Sequence, residues 1–155
     1  MAAEMVVELH LVLPIVVGII VGIIEAYFVY EDENMTSGKD FLGDMWHGLL
    51  FATIGVVIAS NVPWVMANFI PESIQGYLLV DGNGNSIIVS ALIAIFMLIK
   101  MVSSHAIKGI RGGGFTEKFW HKLVVALLVG FAPYYILLLS PVLEPITSKF
   151  PSWLK

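Results

Sequence analysis

The sequence contains no cysteine. Disulfides, thiolate metal sites and cysteine nucleophiles are therefore excluded. Charge is scarce as well: Asp, Glu, Lys and Arg make up 13% of the 155 residues, against about 25% in an ordinary soluble domain. There is no basic excess, with 8 Lys and Arg against 12 Asp and Glu and a net charge of −4. A surface that neutralises nucleic-acid phosphates is not expected from such a balance. The first residues carry Glu4 and Glu8 but no Lys or Arg, so they do not read as a secretory signal. The glycine-rich stretch Gly109–Gly114 has no Gly-Lys-Ser/Thr ending and is not a phosphate loop. It reads as a flexible hinge. No Ser/His/Asp order supports a triad, and no internal repeat is evident.

Apolar residues are what the chain has in quantity: 58% of the total, with a mean hydropathy of +0.89. About 20 apolar residues are needed to cross about 30 Å of hydrocarbon as a helix. Four segments meet that length: Leu11–Tyr30, Gly48–Phe69, Ser86–Ile107 and Phe119–Leu139. Their apolar runs do not alternate with polar residues, which argues against barrel strands. The expected fold is all-α: one integral membrane domain spanning residues 1–155, a bundle of four transmembrane helices with short loops. Pro141, Pro145 and Pro151 argue against one long helix after residue 139. Phe150, Trp153 and Leu154 instead suggest a C-terminal tail on the membrane interface.

Basic residues set the expected threading. Lys39, Lys100, Lys108, Arg111, Lys118 and Lys122 fall in or beside the two connections on one side, and only Lys149 and Lys155 fall on the other. The positive-inside rule then puts the connections between helices one and two, and three and four, in the cytoplasm. Both termini lie outside a cytoplasmic (plasma) membrane. On this threading Asn34-Met-Thr36, a glycosylation sequon, lies inside and carries no glycan. Two Asp-x-Asn stretches, from Asp32 and from Asp81, lack the glycine and acid positions of a calcium loop. The second reads as a Gly- and Asn-rich turn.

Charge kept within hydrocarbon usually serves a function or meets a partner. Glu25 lies five residues inside Tyr30, and Lys100 eight residues inside Lys108. Their similar depths suggest an ion pair between helices one and three. In helix two, Ser60-Asn61-Val62-Pro63 marks a break or kink, since Pro63 removes one backbone bond and Asn61 can satisfy a carbonyl or bond to a neighbouring helix. Pro133 marks a similar place in helix four. Gly18-xxx-Gly22 permits close approach of a second helix, within the chain or in an oligomer. Thr116 is placed to cap helix four.

Three histidines, His47, His105 and His121, gather near the expected inner face. Asp44 with His47, and Glu117 with His121, each share a helical face. Oxygen plus imidazole suits a transition metal, and facing pairs of that kind build bundle metal sites.

Three functions fit these features. The first is a homo-oligomeric channel or transporter for an ion or small solute, using Glu25, Lys100 and Asn61 and needing no cofactor. The second is a non-catalytic helical subunit of a larger membrane complex. The third is a metal-dependent membrane enzyme built on Asp44, His47, Glu117 and His121. The expected partners are membrane lipid, further copies of the chain or other membrane subunits, and no nucleic acid.

Overall fold

A computed structural model describes residues 8–33, 41–110 and 118–151, with the side chains of 33, 41, 42, 44 and 104–110 left aside. Those residues form seven α-helices: α1 (Val12–Glu33), α2 (Phe41–Ser60), α3 (Val62–Phe69), α4 (Glu72–Gln75), α5 (Ile87–Ile110), α6 (Phe119–Gly130) and α7 (Ala132–Thr147). No strand occurs among them beyond one isolated bridge, Val80 to Ser86. The described residues are all-helical in class, as the apolar runs imply.

The four expected spans are only partly recovered. One helix, over Val12–Asp32, is long and apolar enough to cross a membrane. Up to three spans result if each of two bent helix pairs counts as one, and the apolar part of α5, Ile87–Ser103, is shorter. The expected second span divides into α2 and α3, bent by 52°, and the fourth into α6 and α7, bent by 77°.

The two bends share a local cause. Asn61 and Phe131 have nearly the same backbone angles, φ −105°, ψ 15° and φ −97°, ψ 15°. Each is followed two residues later by proline, Pro63 or Pro133, which starts a helix well but cannot continue one. The backbone N–H of Asn61 turns to the Ile58 carbonyl, and its side-chain amide donates to the Val57 carbonyl at 2.8 Å. At the other bend the Tyr135 hydroxyl donates to the Leu128 carbonyl at 2.6 Å. One carbonyl at each bend, Val57 or Leu128, is thus met by a side chain.

The chain is thus two helical hairpins, α1 with α2 and α5 with α6, in each of which the second helix breaks before a proline.

Small residues fill the interior, among them Val17, Val21, Ala52, Val56, Ala59, Val125, Ala126, Val129 and Ala132. Large apolar residues such as Ile23, Ile54, Ile58, Phe96, Ile99 and Leu138 point outward and are more than half exposed. Small inside and large outside is the packing of helices in lipid, where close backbone approach replaces hydrophobic drive. A Cβ on Gly18 would lie 2.6 Å from the Thr53 Cα, and one on Gly22 would lie 2.8 Å from the Leu49 Cα. The Gly18-xxx-Gly22 pattern is therefore used inside the chain, against α2.

Two boundary expectations need correction. Glu31-Asp32-Glu33 was expected to begin a connection, yet it completes the last turn of α1. Pro141 and Pro145 lie within α7, which runs to Thr147, so residues 140–147 are helical rather than an irregular tail. Both prolines are exposed, and each removes only one backbone bond on that outward side. Asn34–Thr36, Lys39, Arg111, Thr116, Glu117, Trp153, Leu154 and Lys155 lie outside the described residues. The Asp81–Asn85 stretch is the turn its composition implies: Asp81 Oδ1 accepts from the backbone N–H of Asn83 and Asn85, each at 2.9 Å.

Candidate functional site

Polar side chains collect at the two ends of the bundle, with the apolar middle between them. At one end the buried carboxylate of Asp32 organises the site. Its side chain is 2% exposed. Asp32 Oδ2 accepts from the backbone N–H of Lys118 at 3.0 Å and lies 2.8 Å from His121 Nδ1. The Lys118 ammonium stands 3.6 Å from Oδ1 and is largely exposed. Asp32 thus caps the first turn of α6 from a different helix, where an anion is favoured by the backbone dipoles. His121 stacks on Phe28 with ring centres 4.2 Å apart and planes 7° from parallel.

Two turns deeper than Asp32, Glu25 packs against α2. A Cβ on Gly48 would lie 2.8 Å from the Glu25 Cδ, so glycine is what makes room for the carboxylate. Glu25, His121 and the buried Lys122 border one small cavity of about 10 Å³, together with Phe28, Val29, Met101 and Val125. That is about the room of a single water molecule. The Lys100 ammonium sits over the Phe51 ring, 3.5 Å from its centre, a cation–π contact. Gly48 and Phe51 are one turn apart on α2. Glu25 and Lys100 therefore both meet α2, about one turn apart.

The proposed metal layer is only partly within view. His47 Nδ1 lies 2.7 Å from the Gly43 carbonyl oxygen on its own helix, in an exposed position. His121 is engaged by Asp32. The Asp44 and His105 side chains and Glu117 lie outside the described residues. Among the described residues no three His, Asp or Glu side chains are grouped as a metal site would need.

Asp32 is the residue sequence reasoning missed. The signal was present: Pro14, Val17, Gly18, Val21, Gly22, Val29 and Asp32 form the buried stripe of α1, at the three-and-four spacing of one helix face. Glu25 and Asp32 are two turns apart on that side.

At the opposite end both helix breaks border one cavity of about 560 Å³. Ser60, Asn61, Pro63 and Trp64 come from the first break, and Pro133, Ile136 and Leu137 from the second. Glu8 and His10 close it on one side, Asn83 and Asn85 on another, and Ser140 and Glu144 of α7 on a third. Asn61, which is buried, fixes the wall. Its amide oxygen accepts from the His10 N–H at 2.8 Å, and its amide nitrogen donates to the His10 carbonyl at 2.7 Å. Asn61 therefore ties the segment before α1 to the break in the second span. Asn61→Leu removes the partner of three backbone groups; the two on exposed His10 can turn to water, so at roughly 1–3 kcal/mol per unsatisfied group the expected loss is about 1–3 kcal/mol. Thermal unfolding in detergent, with proteolysis near residue 10 as the local readout, checks it; an unchanged melting temperature and cleavage rate would show that the tether is unimportant.

The chain matches no known protein family, no curated protein and no solved structure. Chemistry alone therefore ranks the sites. A volume of about 560 Å³ falls within the range of small-molecule pockets, about 300–1,000 Å³. The Asp32 end holds buried charge but only water-sized space.

Proposed function

We propose that the protein is a small polytopic membrane transporter for an ion or small solute, with the large cavity as its substrate site. The observation that carries this reading is that both broken helices bend at the wall of one cavity. Discontinuous helices are a recurring way to build a substrate site within a membrane, because freed backbone and nearby side chains can face a ligand there.

In this reading the chain crosses the bilayer four times. α1 and α5, of 22 and 24 residues, are about 33 and 36 Å long at 1.5 Å per residue. The pairs α2/α3 and α6/α7 supply the other two crossings. The balance of basic residues puts the Asp32 end inside and the cavity outside, with both termini outside. The cavity is then open to the exterior, the apolar middle is the barrier, and Asp32 with His121 and Lys118 holds the inner ends of α1 and α6 together. Glu25 and Lys100 lie between barrier and latch, where a charge is costly and earns a role in the cycle. A homo-oligomer fits the exposed apolar faces, although those faces equally suit lipid.

Flux into liposomes tests the proposal, using potassium, choline, lactate and glucose as probes. The wild type is expected to carry at least one above protein-free vesicles. Ser140→Trp, which fills the cavity, should abolish that flux. Glu25→Gln should lower it by about tenfold, the effect of losing about 1.4 kcal/mol at the barrier. Undiminished flux in Ser140→Trp overturns the cavity as the site, and undiminished flux in Glu25→Gln removes that residue from the pathway. Co-purification with other proteins and no flux would favour the subunit reading.

A further inference from the structure

The cavity walls carry charge of one sign. Among the described residues, the charged side chains that border it are carboxylates, Glu8 and Glu144, both exposed at its rim. Among the described residues no lysine or arginine borders it. The surrounding surface adds exposed Glu72 and Asp81, and Lys149 is the one cation described at that end. A concave site rimmed by one sign of charge over low-dielectric walls concentrates counter-ions. Below the rim the wall is mostly apolar and includes Trp64, Ile136 and Leu137, with Trp64 the best aromatic face for a cation. The Ser60 hydroxyl oxygen is buried at this wall and has no hydrogen-bond partner among the described residues.

We infer that the cavity binds an organic monocation: a substituted ammonium whose charge sits near Glu8 and Glu144 and whose apolar body lies against Trp64 and Ile136. The carboxylates reject anions, and the apolar wall disfavours small hydrated metal ions, which need a dense set of oxygens. The inference rests on reading the cavity as the transport site, but its binding can be measured without transport.

The test titrates full-length protein in maltoside micelles with benzyltrimethylammonium, benzyl alcohol and benzenesulfonate by calorimetry. The cation is expected to bind at least tenfold more tightly than the neutral or anionic probe. Glu144→Gln and Trp64→Leu should each weaken cation binding by about tenfold, equivalent to about 1.4 kcal/mol, with benzyl alcohol unchanged in Glu144→Gln. Raising the salt should weaken the wild type more than Glu144→Gln. Equal affinity for the cation and benzyl alcohol, tighter binding of benzenesulfonate, or no effect of Glu144→Gln each overturns the inference. Circular dichroism of both variants checks that they are folded.

A choline lipid headgroup carries the same cation as a free solute. Competition by added phosphatidylcholine, with a neutral glycolipid as control, assigns the site to the headgroup; no competition assigns it to a free solute. Cation binding without flux in liposomes keeps this inference and overturns the transport reading. Flux that shows no preference for cations, with no calorimetric discrimination, keeps transport and overturns the cation site.

Discussion

Asp32→Ala is expected to destabilise the protein by about 3–5 kcal/mol, from the loss of two hydrogen bonds to a buried carboxylate at about 1.5–3 kcal/mol each. The effect is large because three things fail together. The first turn of α6 loses the acceptor for the Lys118 N–H. His121 loses its 2.8 Å contact and remains stacked on Phe28 with a polar edge in a packed site. The C-terminal turn of α1 loses its tie to α6. Asp32→Asn retains the shape and one acceptor oxygen, so about half the loss is expected, at about 1.5–2.5 kcal/mol, since hydrogen bonds to charged groups contribute about 1.5–3 kcal/mol. Lys118→Ala should cost under about 1 kcal/mol, because the ammonium is mostly exposed and surface pairs contribute little. Unfolding in mixed micelles gives the three values. Asp32→Ala unfolding with the wild type, or Lys118→Ala costing as much as Asp32→Ala, would remove Asp32 from the centre of the latch.

Gly130→Ala should be comparably damaging, for a steric rather than an electrostatic reason. An added Cβ would lie 2.5 Å from the Ser90 carbonyl oxygen and 2.7 Å from the Ala94 nitrogen and Cβ. Backbone of α5 cannot rotate aside as a side-chain tip can, so α5 and α6 must separate. Overpacking of this kind typically costs about 1–3 kcal/mol and occasionally more, and the upper part of that range is expected here. Gly43→Ala is the matched control: nothing lies within 4 Å of its added Cβ, and alanine favours a helix interior over glycine by up to about 1 kcal/mol. A lower melting temperature for Gly130→Ala and an unchanged or higher one for Gly43→Ala is the expected pattern. Equal behaviour of the two would mean that α5 and α6 are not in backbone contact at Gly130.

Hydropathy made the helical class legible, because runs such as Ile15–Ile24 have no other plausible home. Gly18-xxx-Gly22 and the Asn61–Pro63 break were also visible, since small residues and prolines act through local backbone geometry. Asp32 was not. A run of three acids at 31–33 resembles a solvated connection, and its partner His121 is 89 residues away, a pairing no local pattern contains. Pro141 and Pro145 misled in the opposite direction, because a proline is tolerated where the lost bond faces outward. The large cavity was invisible for a further reason. It is assembled from the chain before α1, both helix breaks, the Asn83–Asn85 turn and α7, and no segment alone suggests a concave surface.

The side chains that occupy the spare carbonyls at the two elbows have an electrical consequence. Neither the Val57 nor the Leu128 carbonyl has to recruit solvent at its elbow. If the chain is the transporter proposed above, a resting single copy is expected to be an insulator, passing no measurable current until its two hairpins rearrange.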